Sequence, residues 1–391
     1  MWPEAVMLVQ LGFWFCLGLV VYVYVGYLVA VVTLAFVMNR GIRKAAIEPI
    51  VTVIISAFNE EREIAETVTN KLCQDYPKDC LEVIVVSDGS TDRTNEIVRT
   101  LADRSEGRVR FFLQEPRQGK TQALNMAMGH TEAEIVIFAD ANSIYDSGAV
   151  RSLVRNFGDP SVGYVTGRMV YTNPEKSGIG EGSGAYMSYE NALRRFETRL
   201  GSIVGVDGGI DAVRRHLYVP MRADQLPDFI LPLNVVEQGK RVVYEPDATV
   251  YESAQSSAGG EFRMRVRVSL RALWGLRDKS NLLNPLRYPM FAWQLLSHKV
   301  LRYLAFLPLV GLFGFNVLIT GEHDFYLWFL LLQLVAYASA AGGHLFGQST
   351  GTKSKLLAPY YFVILNAACA MAFWSFLRGK KMVLWTPRGG A

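Results

Sequence analysis

Three apolar, β-branched runs of the sequence each end in polar residues of the kind that bind ligands. The runs are Val51–Ile55, Val83–Val86 and Ile135–Ala139. The residues that follow them are Ala57 with Asn59, Glu60 and Glu61, then Asp88, then Asp140 with Asn142. Each polar residue alone is also an ordinary choice for a turn or a helix cap. Carboxylates gathered at one place cost energy unless a cation or a hydrogen-bond donor is present, so together they indicate a ligand site.

The segments between these runs predict the elements that position the polar residues. Polar, helical stretches alternate with the runs and are expected at Glu60–Leu72, capped by Asn59, at Thr91–Leu101 and at Thr121–Met128, with a further strand at Val109–Leu113. Strands that lack a polar face indicate a parallel sheet covered on both sides. Ligands of such sheets bind at the carboxyl ends of the strands, where the polar residues fall. The pattern therefore predicts a Rossmann-like α/β domain.

Apolar segments at both ends predict membrane helices. Half of the 391 residues are hydrophobic, and Val6–Met38 has no charged residue and no basic leader, which favours a spanning helix over a cleaved signal. Three later segments have near-spanning length, namely Val300–Thr320, Phe325–Leu345 and Leu356–Leu377. Basic residues beside the first two segments, including Arg43, Lys44 and Lys299, place the region between them in the cytosol.

The side on which the C-terminus lies is left open by the sequence. Four crossings would place it outside, whereas Arg378, Lys380, Lys381 and Arg388 favour the inside, unless one segment is re-entrant or interfacial. The net charge of +4 lies near the membrane segments and after residue 260, which indicates membrane lipids or phosphates and not nucleic acid. The four cysteines lack metal-site spacing and are expected to be reduced thiols.

Four motifs carry a resemblance to a known family. They are Ser56–Glu60, Ser87–Ser90, Gly119-Lys120 followed by Leu124-Asn125, and Phe138–Asn142. In this order and at these spacings the chain resembles the family-2 glycosyltransferases with the GT-A fold, particularly the membrane-embedded synthases related to hyaluronan, chitin and cellulose synthases. The resemblance covers about Ile50 to Leu276 and implies an inverting transfer of sugar from a UDP-sugar.

The resemblance also implies roles for individual residues of the donor site. Asp88 would contact the nucleotide base, and Ala57, Asn59 and Glu61, or Glu60 instead, would line the nucleoside pocket. Lys120 would meet a phosphate or the uracil carbonyl. Asp140 and Asn142 would hold Mg²⁺ or Mn²⁺ on the diphosphate; the amide of Asn142 replaces a usual carboxylate and lowers the charge of the site. Asp146 is a substitute ligand or a helix cap.

The acceptor side follows from the same resemblance. Asp228, in Gln225–Phe229, matches the position of the general base, and Asp224 is the alternative. Asp228 could also cap a helix over Phe229–Glu237. Gly208 and Gly209 match an acceptor loop in which a missing side chain lets a sugar approach, or form a plain turn. Tyr186, Tyr189, Glu190 and Glu197 share a helical stretch whose aromatic residues either stack on sugar or pack in the core.

A basic stretch follows the domain. Arg263, Arg267 and Arg271 recur every four residues, with Trp274 close behind, and so share one helical face. Such a face suits a helix on the membrane interface. Arg267, Arg271 and Trp274 also fall where the synthases bind diphosphate, although the Gln-x-x-Arg-Trp spacing differs here.

Together these readings predict four regions. They are a membrane helix at 1–44, a cytosolic GT-A domain at 45–258, interfacial helices at 259–298, and about three membrane helices with a basic tail at 299–391. The function expected is a processive polysaccharide synthase of the cell membrane that also exports its polymer. The alternatives are a single transfer to a lipid or lipid-linked acceptor, and a catalytically silent subunit that binds nucleotide-sugar. The donor sugar and the oligomeric state are not predicted.

Overall fold

A computed structural model describes residues 3–172, 178–253, 257–346 and 357–384. The strands in these residues are β1 Val51–Ala57, β2 Leu81–Ser87, β3 Val109–Leu113, β4 Ile135–Asp140, β5 Ile144–Tyr145, β6 Val162–Tyr171, β7 Ile210–Arg214 and β8 Arg241–Glu252. The α-helices are α1 Pro3–Val21, α2 Tyr27–Met38, α3 Ile64–Leu72, α4 Thr94–Arg104, α5 Lys120–Met128, α6 Ala149–Val154, α7 Gly178–Leu200, α8 Pro227–Glu237, α9 Ala258–Asp278, α10 Pro289–Leu295, α11 Leu301–Tyr303, α12 Phe306–Ile319, α13 Asp324–Phe346 and α14 Leu357–Leu377.

The strands form one mixed sheet in the order β3-β2-β1-β4-β7-β6-β8-β5. The four strands predicted from the sequence are all present and pair in parallel. Beyond β4 the sheet continues through the antiparallel strand β7, which the sequence pattern did not indicate. The α/β prediction is thus confirmed, and beyond β7 the strands β6 and β8 again pair in parallel.

Both faces of the parallel strands are buried, which explains why their sequences lack polar alternation. Val53 and Ile55 of β1 pack with Val68 of α3 on one face. Ile54, which points the other way, packs with Leu124 of α5 on the opposite face. Helices therefore cover the sheet on both sides, as expected for parallel strands.

Several predicted helix starts are wrong, and α4 begins at Thr94 instead of Thr91. Helix α3 begins at Ile64 instead of Glu60, and Asn59 does not cap it. Asn59 has a positive φ of 55°, and its side chain accepts a hydrogen bond from the backbone N–H of Thr91 instead. Likewise Asp228 is not a cap, because α8 begins at Pro227 and places Asp228 within its first turn. Proline suits that position because the first helical N–H needs no partner in the helix.

The apolar ends of the chain form long helices. Helix α1 continues through a π-helical turn, Tyr22–Gly26, into α2, so that Glu4–Met38 makes one long apolar helix. Among the described residues three helices are long and apolar enough to span a membrane, or four if the bent pair Pro289–Tyr303 and Phe306–Ile319 is one span. That pair bends by 59°.

The residues after α14 contact the sheet domain. The indole N–H of Trp274 donates to the carbonyl of Lys380 at 2.8 Å, and Nζ of Lys381 lies 2.5 Å from Oδ2 of Asp224. The described end of this segment therefore lies on the same side as the sheet domain, in agreement with its basic residues. Arg388 lies outside the described residues.

Candidate active site

The ends of three neighbouring strands bring the predicted donor residues to one edge of the sheet. In the register of β1, Ser56 is opposite Asp140 of β4, and Ala57 is opposite Ser87 of β2. The backbone N–H of Asp88 donates to the carbonyl of Ala57 at 2.8 Å. Ala57, Asp88 and Asp140 therefore lie side by side, because parallel strands present their carboxyl ends together.

Asp88 is fully buried and organises the loop before α5. Its carboxylate accepts hydrogen bonds from the side chain of Gln114 at 2.6 Å and from the backbone N–H groups of Gln118 at 2.8 Å and Gly119 at 3.0 Å. Gly119 has φ +94°, a conformation that glycine adopts readily. In this arrangement Asp88 fixes the loop that presents Lys120.

The residues of the loop between β1 and α3 differ in their exposure to solvent. Asn59 and Glu61 are exposed and tie this loop to the next one, through the backbone N–H groups of Thr91 and Arg93. Glu60 is more buried. Burial, with nearby Glu63 and Asp140, raises the pKa of Glu60 to about 8. Of the two glutamates considered from the sequence, Glu60 is the one that shares the electrostatic environment of Asp140.

Lys120 joins the donor side of the site to the predicted base. Its Nζ lies 2.6 Å from Oδ1 of Asp140 and 3.7 Å from Oδ1 of Asp228. Burial alone would lower the pKa of Lys120, but the two carboxylates raise it above its usual value. The ammonium group is therefore held charged between two acids that come from distant parts of the chain.

The two acids considered for the general base, Asp228 and Asp224, have different surroundings. Burial raises the pKa of Asp228 above its usual range; Lys120 opposes this effect and Asp140 adds to it. Asp224 instead forms ion pairs with Arg222 at 3.2 Å and Lys381 at 2.5 Å. The geometry therefore favours Asp228 over the runner-up.

The two glycines of the predicted acceptor loop make room for acidic side chains. Gly208 has φ +87°, and a Cβ on it would lie 2.5 Å from Oδ2 of Asp228. A Cβ on Gly209 would lie 2.5 Å from Oε1 of Glu252. The missing side chains thus let two carboxylates approach the loop backbone, a need that is separate from the predicted approach of a sugar.

The predicted metal ligands form an open, incomplete set. Across the described ranges no group of three His, Cys, Asp or Glu residues could hold a metal. Asp140 is partly exposed, and the half-buried amide of Asn142 makes no hydrogen bond within the described chain. One carboxylate and one amide fit an ion that takes its other ligands from substrate phosphates and water. Asp146 accepts a hydrogen bond from the N–H of Ser147 at 3.1 Å and serves the local turn.

Helix α3 holds the loop that carries Asp140 and Asn142. The hydroxyl of Thr67 donates to the carbonyl of Ala141 at 2.7 Å, and Nζ of Lys71 donates to the carbonyl of Ser143 at 2.5 Å. Burial lowers the pKa of Lys71 to about 7. The loop therefore has a defined shape before any ligand binds.

One basic residue of α9, Arg271, is turned into the protein instead of lying on the predicted interfacial face. Arg271 is buried and donates to the hydroxyl of Thr121 at 3.1 Å and to the backbone carbonyls of Asp224 and Gln225. Burial lowers its pKa to about 10. Arg271 thus anchors the segment before Asp228 instead of pointing to lipid headgroups. Arg267 lies one helical turn earlier, and Trp274 contacts the segment after α14.

Two acids near the site were not identified from the sequence. Asp211 is buried in β7, where burial and then the charge of Asp228 raise its pKa to about 8. Glu252 is buried at the end of β8 beside Gly209. The sequence did contain a sign of Asp211, namely a carboxylate inside the apolar run Ile210–Val213. Glu252 could be assigned to the site only from the position of β8 in the sheet.

Most residues of the site lie in a region that matches a known protein family. The model of glycosyl transferase family 2 matches residues 52–218. Poly-beta-1,6-N-acetyl-D-glucosamine synthase of Staphylococcus aureus (strain COL) is 27% identical over 254 residues, which are 62% of this chain and 59% of that relative. The enzyme of the same name from Staphylococcus epidermidis is 25% identical over 277 residues, 67% of this chain and 66% of the relative.

The fold extends further along the chain than the sequence match. The structure of mannosyltransferase PcManGT from Pyrobaculum calidifontis, in complex with GDP-Man and Mn²⁺, has a TM-score of 0.72, with 22% identity. The similarity covers 94% of this chain and 99% of that one. The chain thus has the GT-A fold, and its residues 52–218 match the model of glycosyl transferase family 2.

Proposed function

We propose that the protein is an inverting glycosyltransferase that moves a sugar from a nucleotide-sugar, with UDP as the nucleotide, to an acceptor hydroxyl. The observation that carries this proposal is the contact of Lys120 with both Asp140 and Asp228. This contact supports a base that lies beside the acid expected to face the donor diphosphate. A silent nucleotide-binding subunit would have no need for a base at this position.

In the proposed reaction the nucleotide lies along the ends of β1, β2 and β4. Asp228, when ionised, accepts the proton of the acceptor hydroxyl as its oxygen attacks the anomeric carbon. The nucleoside diphosphate leaves from the opposite face, so the configuration at that carbon inverts. Lys120 stabilises the negative charge that develops on the diphosphate. Mg²⁺ or Mn²⁺ on Asp140 and Asn142 would add to the same charge neutralisation.

The acceptor proposed first is a growing polysaccharide. The names of the staphylococcal relatives support a processive synthase, although the matched region spans only 59% of the length of the first of them. The long apolar helices support a position in the cell membrane, with the sheet domain in the cytosol and export of the polymer. The structure of PcManGT, which shares the fold, is a complex with GDP-Man and Mn²⁺. We propose that this protein likewise uses a nucleotide-sugar and a divalent metal ion.

A second candidate is a single transfer to a lipid-linked acceptor. It is favoured by Arg271, whose guanidinium binds protein carbonyls and so does not reproduce a diphosphate-binding arrangement over the acceptor. The cavity that adjoins Asp228, described below, supports the same candidate.

The experiment is incubation of the purified full chain with radiolabelled UDP-sugars and Mg²⁺ or Mn²⁺. Long polymer supports the first candidate, a single-sugar lipid the second, and no product in the presence of donor binding supports a silent subunit. Asp228→Asn should lower turnover by about 10²- to 10⁴-fold, as expected for loss of a general base. Asp224→Asn is the matched control and should retain turnover. Full turnover of Asp228→Asn would show that the base is elsewhere.

A further inference from the structure

A cavity of about 220 Å³ connects the proposed base with the apolar helices. Asp228 lines the cavity, and so do Phe362, Leu365 and Asn366 of α14. Helix α14 is one of the helices that could span a membrane. A molecule held in this cavity could therefore reach Asp228 with a hydroxyl while its other end remains among membrane helices.

Three arginines of the wall are each matched by an acid. Arg194 pairs with Asp207 through both terminal nitrogens of its guanidinium. Arg302 donates to Oε1 of Glu190 at 2.5 Å. Arg265 pairs with Glu261 at 2.8 Å. These cations are neutralised within the protein.

Lys299 is the wall cation whose ion pair is longer than those of the three arginines. Its Nζ makes no hydrogen bond among the described residues, and its nearest carboxylate oxygen, Oε2 of Glu190, is 3.9 Å away. Glu190 already binds Arg302 and lies 3.2 Å from a ring nitrogen of His298. Only 13% of the Lys299 side chain is exposed. A buried ammonium group that shares a distant carboxylate with other groups is only weakly stabilised, so the position suits a ligand that brings a closer anion.

We propose that this cavity binds an acceptor sugar joined to a lipid through a phosphate, with the phosphate at Lys299 and a sugar hydroxyl at Asp228. The apolar residues Phe362 and Leu365 favour a phosphate that arrives on a lipid over a free one. A phosphate offers the charged oxygen acceptors that an ammonium group binds best. The inference rests on the proposed sugar transfer and names the class of acceptor for it.

The test compares two acceptors that differ by one phosphodiester, octyl β-glucoside and octyl glucosyl phosphate, with the full-length protein in detergent. Wild type should have the lower KM for the phosphate-bearing acceptor. In Lys299→Ala the ratio of the two KM values should shift against that acceptor by about tenfold or more, as for loss of a charge-assisted hydrogen bond. Lys299→Arg should restore part of the ratio. A merely structural role would change both KM values alike.

Lys279 provides the matched control, because it pairs with Glu237 and is not part of the cavity wall. Lys279→Ala should leave the ratio unchanged. An unchanged ratio in Lys299→Ala, a raised KM for the donor alone, or equal competition by inorganic phosphate would overturn the inference. Donor binding is measured separately by calorimetry. Its absence in wild type would refute the proposed transfer, whereas donor binding without a preference for phosphate would refute only this inference.

Discussion

Replacing Gly208 with alanine should displace the proposed base without removing it. Gly208 has φ +87°, and a Cβ there would lie 2.5 Å from Oδ2 of Asp228, whereas ordinary van der Waals contact begins near 3.4 Å. The carboxylate must therefore retreat by about 1 Å, and a shift of that size can reduce turnover by about 100-fold. The left-handed backbone adds a cost of about 1 kcal/mol to the folded state.

Gly239 offers a control with the same backbone strain and no clash. Its φ is +74°, and a Cβ would meet nothing within 4 Å. Gly239→Ala should therefore lower the unfolding temperature about as much as Gly208→Ala, by a few degrees, yet retain turnover. The assay pairs thermal unfolding in detergent with release of nucleoside diphosphate at saturating donor. If Gly208→Ala kept half of the wild-type rate, or if both variants lost activity alike, the reasoning about Asp228 would be refuted.

Three further predictions concern charge in the site. Asn142→Asp adds a carboxylate beside Asp140 and should lower the Mg²⁺ concentration for half-maximal turnover by about tenfold; an unchanged metal titration would contradict the assigned ligand. Lys120→Met removes the cation that opposes the raised pKa of Asp228, so the acid limb of the pH–rate profile should move to higher pH; a shift to lower pH would contradict the contact. Asp211 has a folded pKa of about 8, above its unfolded value, so the folded state binds the extra proton and loses stability as pH rises towards 8. Asp211→Asn should therefore reduce the fall in unfolding temperature between pH 6 and pH 9, measured by thermal scans at each pH.

The half of the sheet up to β4 was predictable because its signals are local. Uninterrupted apolar runs mark strands buried on both faces, and parallel strands bring their carboxyl ends to one edge. Asp88 and Asp140 could therefore be placed together from their positions in the runs alone. The strands β6, β7 and β8 were not predicted because their pairing depends on partners that are distant in the chain.

The helix starts and individual roles depended on contacts that a linear pattern does not contain. Asn59 has the residue type of a cap, but the neighbouring loop offers its side chain the N–H of Thr91. Glu60 and Glu61 are equivalent in the sequence, whereas burial distinguishes them in the fold. Arg271 shares a helical face with other arginines, and only the position of the loop before Asp228 shows what it binds.

By itself the sequence determined the βα alternation, the apolar ends and the residues able to do chemistry, because each depends on composition and short-range periodicity. The tertiary structure decided which of those residues meet. Lys120 contacts both Asp140 and Asp228, which come from separate elements. Asp224 instead pairs with Lys381, which follows α14 in the chain. The long ion pair of Lys299 with Glu190 also appears only in the fold, because such pairing depends on distances between elements and not on their order.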